Sequence, residues 1–290
     1  MPAEKIAIVT DSTCDVSRED LNALGVVCVD LKVFAADGTP MASDNSDASS
    51  DAFFDHVETC DELPVTSMPS PVDFGEAYTG LALLGYTHCI SLHISSAMSG
   101  TCQAARLGAE AADIEVEVVD TKRNTWALAL LVRAVAHKRD EGLSFAELVD
   151  FTMRVRLKTN IVFTVDTLRN LVKGGRTGKA TALAAALLDI KPLLMLDDDG
   201  QVVQRGKARA LKGAWPKLAA LAQEAVERFG PLEGYFVHTR NLAGVEALRK
   251  LFAERGIDYT ELGVRRVGPV IATHVSTGCA GFSYIPKEIA

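Results

Sequence analysis

Four short apolar runs govern what the first half of this chain can fold into: KIAIVT (residues 5–10), VVCVDLKVFA (26–35), CISLHI (89–94) and VEVVDT (116–121). Each is too short for a buried helix, and three are closed by Ser, Thr or Asp, as expected of strands covered on both faces. Between them lie segments with helical spacing. VSREDLNALG (16–25) stops at Gly25, DAFFDHVETC (51–60) has Ser49 or Ser50 as its expected cap, and NTWALALLVRAVAHKRDEG (124–142) stops at Gly142. Strand–helix alternation in short units predicts a parallel sheet with helices on both faces, and in such sheets ligands bind outside the carboxyl ends of the strands. The polar clusters of this half fall there or between elements: Asp11-Ser12-Thr13, Thr66-Ser67, and the group Ser95, Ser96, Ser99 and Thr101.

From about residue 156 the rhythm changes. NIVFTV leads to a helix, a glycine turn, a further helix and a hairpin turned at Asp198-Asp199-Gly200. A long helix over 214–229, a strand at 232–239, a helix at 241–256 and two closing strands follow, with GPVIATHV (268–275) read as an apolar strand. The predicted architecture is α/β: residues 1–155 form a parallel-sheet domain and residues 156–290 an α+β domain with a mixed or antiparallel sheet, the ligand lying between them.

The totals narrow the function. A formal net charge of −8 argues against nucleic acid as a partner. Six scattered cysteines without a Cys-x-x-Cys pair, and no apolar run near the ~18 residues of a membrane span, predict a cytoplasmic protein without a metal site. KGGRTGKAT (173–181) resembles a phosphate loop but fails its spacing, because Lys173 stands where the first glycine belongs and Ala180 follows Lys179. Asp197 to Gly200 begins like a calcium loop but lacks the remaining ligands.

The hydroxyls at 95–101 are more than helix caps require. Hydroxyls beside free helix amides make a site for an anion. A serine-dependent lipid hydrolase or acyltransferase using the 95–99 cluster is the alternative. His93 shares a strand face with Ser95, but no nucleophile elbow and no partner acid are visible. A nucleotide-binding regulator, with Arg176 facing phosphate, is a third reading.

Taken in order, IVTDST with Asp15, VTSMPSP, ISSAMSGT, VKGGRTGK and GPVIATHV resemble the DegV family along nearly the whole chain. The resemblance implies one long-chain fatty acid held between two domains, with no catalysis by this chain. It further implies an ATP-binding fatty acid kinase subunit as partner, which phosphorylates the bound carboxyl group and feeds phospholipid synthesis, with transient contact at a membrane surface and no cofactor beyond the lipid. It places carboxylate contacts on Thr66 and Ser96, with Ser95 adjacent, maps the family histidine to His274, and makes Arg176 the partner- or anion-facing residue. Met98 stands where the family commonly has leucine, and Ser276-Thr277 where it has Gly-Pro.

The chemistry is consistent with that implication. A sixteen-carbon tail offers roughly 12 kcal/mol gross at ~0.8 kcal/mol per methylene before the costs of association. The carboxylate must be hydrogen-bonded if it is buried. Hydroxyls and a histidine satisfy it without a tight arginine pair, which places Arg176 outside the innermost contacts. Ala184, Leu187, Leu188, Ile190 and Leu194 are the expected tunnel lining.

Overall fold

The computed structural model describes residues 4–179 and 190–290; Ala184, Leu187 and Leu188 lie outside the described residues. The first expected strand is β1 (Ile6–Asp11), buried along its whole length. It pairs in parallel with β2 (Val26–Val29) and β6 (His88–His93), and β6 pairs in parallel with β7 (Glu115–Asp120), giving the order β2-β1-β6-β7. Side chains alternate across β1 with period two. Ala7 and Val9 pack with Phe74 and Tyr78 of α3 (Pro71–Leu83) and Ala104 and Ala105 of α4 (Thr101–Ala109). Ile6 and Ile8 face the opposite way, into the cluster built around α5 (Thr125–Asp140).

The second sheet has the order β10-β9-β8-β13-β11-β12 and is mixed. Its strands are β8 (Asn160–Thr164), β9 (Lys191–Leu196), β10 (Val202–Ala208), β11 (Leu232–His238), β12 (Tyr259–Arg266) and β13 (Ala280–Pro286). Only β11 and β12 run parallel; the other pairs are antiparallel. Helices α8 (Leu211–Phe229) and α9 (Leu242–Arg255) cover one face through Trp215, Leu218 and Phe252. The other face meets α5, which also packs on β1 and β6. A helix segment apolar on nearly all sides must be buried, and α5 is buried before its last turn: Leu128, Leu130, Leu131, Val132 and Val135 are closed to solvent between the two sheets.

The structure differs from expectation at four places. The run 26–35 is two strands, because Leu31 gives its amide to Ser12 Oγ (2.9 Å) instead of continuing the parallel ladder. The chain then enters β3 (Lys32–Phe34), which belongs to a small antiparallel sheet with β4 (Pro40–Met41) and β5 (Val65–Ser67). The cap of α2 (Asp47–Thr59) is Ser46, whose hydroxyl accepts the Ser49 amide; Ser49 and Ser50 lie buried inside the first turn. Helix α8 starts at Leu211 and not Ala214, with Pro216 inside it. Finally, the segment read as a strand at 268–275 is α10 (Pro269–Val275), with Pro269 at its first position, where a missing N–H costs nothing. Helix α10 packs against α2, β3, β5 and α7 (Arg169–Lys173), and so carries the second half of the chain onto the small sheet of the first.

Candidate ligand site

The small sheet and α10 build the centre of the site. Pairing of Val33 with Thr66 fixes β5 beneath α10. There Thr66 Oγ1 lies 3.0 Å from His274 Nε2, joining residues 208 apart in sequence. The opposite side of the imidazole is closed by Gly174, where an added Cβ would stand 2.6 Å from His274 Nδ1. Burial, aided by the Arg176 charge, pushes His274 down to about 4, so the ring is neutral near pH 7.

Two adjoining spaces meet at this histidine. One, a cavity of only about 50 Å³, is lined mainly by apolar side chains, among them Leu31, Ile94, Phe163, Leu171 and Val270, with Ser99, Asn124, Arg176 and His274 as its polar members. The other, of about 220 Å³, opens past Thr66, Asn170, Lys173 and Thr273. His274 and Arg176 border both. Arg176 is fixed by two backbone carbonyls: Nε donates to Met98 O (3.2 Å) and Nη1 to Gly174 O (2.5 Å). It therefore stands beside His274 at the junction of the two spaces. Leu194, expected in the tunnel, is packed in the core cluster, and Ile190 is half-buried without bordering either space.

The serine cluster divides three ways. Ser95 is fully buried; its hydroxyl accepts the Ala97 amide (3.2 Å) and packs against Gly200 of the β9–β10 hairpin. Ser96 is exposed and turns away, donating its hydroxyl to Asp120 Oδ2 while Lys122 Nζ approaches at 3.3 Å. Neither borders the two spaces. Ser99 does, bonded to Thr101 Oγ1 at 2.8 Å. The sequence showed Ser99 in the cluster but offered no means of ranking three hydroxyls on an irregular turn. Asn124 carried only the signal of a polar residue ahead of a helix.

His93 does have an acid partner, at the end of β1. Its Nδ1 lies 3.0 Å from Asp11 Oδ2 and its Nε2 2.7 Å from Ser91 Oγ, which in turn contacts Tyr78 OH at 2.8 Å. Asp11, Ser91, His93 and Tyr78 are all closed to solvent. The order Asp–His–Ser resembles a hydrolytic triad, but no substrate carbonyl can reach it. The same Asp11 Oδ2 accepts the Ile94 amide (3.0 Å), so the chain of bonds sets the start of the 95–99 turn.

A sequence profile described as "Uncharacterised protein, DegV family" matches residues 5–287. The chain belongs to the DegV family. A DegV domain-containing protein of Deinococcus radiodurans is 36% identical over 97% of this chain and 98% of its own length. Another, of Halalkalibacterium halodurans, is 33% identical over 98% and 99%. Among solved structures, a DegV family protein from Thermus thermophilus, described for its fatty acid binding, aligns with a TM-score of 0.88 at 32% identity over 97% of this chain and 99% of that one. The fatty acid binding DegV family protein of Streptococcus agalactiae aligns with a TM-score of 0.89 at 29% identity over 98% and 100%. The parallel-sheet first half and mixed-sheet second half are the DegV fold. No helix among the described residues is long and apolar enough to cross a membrane.

Proposed function

We propose that this chain binds one long-chain fatty acid, its tail entering between Leu31, Ile94, Phe163 and Val270, which part to admit it, and its carboxylate at the junction of Thr66, His274 and Arg176. The observation that carries the reading is the hydrogen-bonded pair Thr66–His274, whose histidine borders both the mainly apolar space and the more open one, in a chain whose structural relatives are described as fatty acid binders. The neutral imidazole and the Thr66 hydroxyl supply hydrogen bonds, and Arg176 supplies the positive charge. In this reading the hydroxyl contributed by the serine cluster is Ser99, since Ser95 is occupied under Gly200 and Ser96 by Asp120. Residues 1–155 and 156–290 act as two domains that close on the lipid.

The bound acid is a substrate for another protein. A carboxylate held at the junction faces the second space and its Lys173, where an ATP-binding kinase subunit can phosphorylate it for phospholipid synthesis. The chain works in the cytoplasm, takes its lipid in transient contact with a membrane surface, and performs no catalysis of its own. The sealed Asp11–His93–Ser91 line supports a carrier over a hydrolase. Native mass spectrometry of freshly purified protein tests the reading. A fatty acid mass that leaves on denaturation is the expected result. A covalent acyl adduct, or ester cleavage lost in Ser99→Ala, would establish the hydrolase instead.

A further inference from the structure

We propose that Asn124 makes this site selective for an acyl chain bearing a hydroxyl group close to its carboxyl end. The inference rests on the fatty-acid reading and deepens it. Asn124 occupies the position before α5 where an asparagine ordinarily caps the helix through its side chain, yet it makes no side-chain cap bond. Its carboxamide borders the apolar space instead, and its one hydrogen bond among the described residues runs from Nδ2 to the weak acceptor Met98 Sδ, at 3.3 Å. Among the described residues the Asn124 carbonyl oxygen and second N–H make no hydrogen bond to the protein. The other polar members of the lining have firmer partners: Ser99 has Thr101, Arg176 has two carbonyls, and His274 has Thr66.

A plain methylene chain lying along Asn124 removes water from these two groups and gives nothing back. A hydroxyl is the smallest substituent that answers both, accepting from the N–H and donating to the carbonyl oxygen. The depth of that hydroxyl follows from Met98. Its carbonyl is held by Arg176, at the polar end, and its sulfur by Asn124, so one methionine side chain separates the head-group region from the carboxamide. That length corresponds to the first few carbons of the acid. Asn124 is half-buried, and the bound chain would complete its desolvation, so the analogue lacking the partner is penalised more than the match is rewarded.

The test is a competition read by native mass spectrometry. The full-length protein is exchanged with equimolar hexadecanoic and 3-hydroxyhexadecanoic acids, alongside Asn124→Leu, whose folding is checked by thermal melting, and Asn124→Gln. The expected result is a preference of about tenfold for the hydroxy acid, abolished in N124L through tighter binding of the plain acid and partly kept in N124Q. Equal occupancy by both acids in the unsubstituted protein overturns the inference while leaving the fatty-acid reading intact. Equal weakening of both acids in N124L also overturns it, because Asn124 is then a contact of the carboxylate itself. If neither acid binds, the fatty-acid reading fails, and the inference with it. If N124L does not fold, the preference of the unsubstituted protein and its change in N124Q decide the matter.

Discussion

Thr66 and His274, on opposite halves of the chain, share a 3.0 Å hydrogen bond between a small-sheet strand and the end of helix α10. In the proposed complex the carboxylate joins this pair, and a hydrogen bond to a charged group contributes about 1.5–3 kcal/mol. Thr66→Val keeps the shape of the side chain and removes the hydroxyl. It is expected to weaken fatty acid binding by roughly tenfold to a hundredfold with little change in melting temperature. Displacement of a fluorescent fatty acid measures it; unchanged affinity would remove Thr66 from the site.

The same pair sets a pH dependence. Burial first, and then Arg176, hold His274 down at about 4, below its ordinary 6.5. Between these values the unfolded chain binds a proton that the folded chain does not, so unfolding gains as pH falls. The His274 contribution to stability is complete above 6.5, declines through this window, and levels off below about 4. His274→Gln is expected to flatten that part of the stability curve. Urea midpoints at pH 7, 5.5 and 4.5, compared between the two proteins, give the result.

How much of this was legible in the sequence follows from the range of the forces involved. β1 and β6 were readable because a strand buried on both faces is largely apolar, and β7 from its valines, although Glu115 and Glu117 leave one face of it exposed. The helix at 268–275 was misread because seven apolar-rich residues carry no decisive period, although Pro269 was its start signal. The 26–35 run was misread because the bond that ends β2 comes from Ser12, far back in the chain. The roles of Ser95, Ser96 and Ser99 depend on Gly200, Asp120 and Thr101, and only Thr101 is local. Proximity of Thr66 to His274 was an implication of family resemblance, since no local pattern links residues 208 apart.

Ser276 marks a cost that this chain carries. It ends α10 with φ 63° and ψ −173°, a conformation nearly reserved for glycine. The resemblance places a Gly-Pro pair at 276–277 in the family, and the backbone here has the form that glycine would take. Ser276→Gly is expected to stabilise the protein by about 1 kcal/mol, raising its melting temperature by a few degrees without altering the α10 contacts. A calorimetric melt of the two proteins decides it, and a lower melting temperature in the variant would show that the serine hydroxyl outweighs the strain.

Asp15 is expected to act on stability in the opposite sense to His274. It sits in a left-handed backbone conformation (φ 62°) after the first strand. Its Oδ2 receives the Thr125 hydroxyl, while its Oδ1 packs with the Asn45 carbonyl oxygen beside the backbone of Gly268. Burial pushes Asp15 up to about 7, against the lowering effects of the Thr125 hydroxyl and the Gly268 backbone amide. Its folded value thus lies above the unfolded one of 3.8. Between 3.8 and 7 the folded chain holds a proton that the unfolded chain releases, so the Asp15 contribution is fully present below 3.8 and is lost as pH rises through 7. Above 7 the protein carries a buried carboxylate facing an amide oxygen. Asp15→Asn removes that charge and offers a donor in its place, so the variant should gain stability over the unsubstituted protein at pH 8 and lose most of that gain at pH 5. Chemical denaturation at the two values provides the comparison. A variant that is less stable at both would mean that the carboxylate is held charged, with the packing around Gly268 built for the anion.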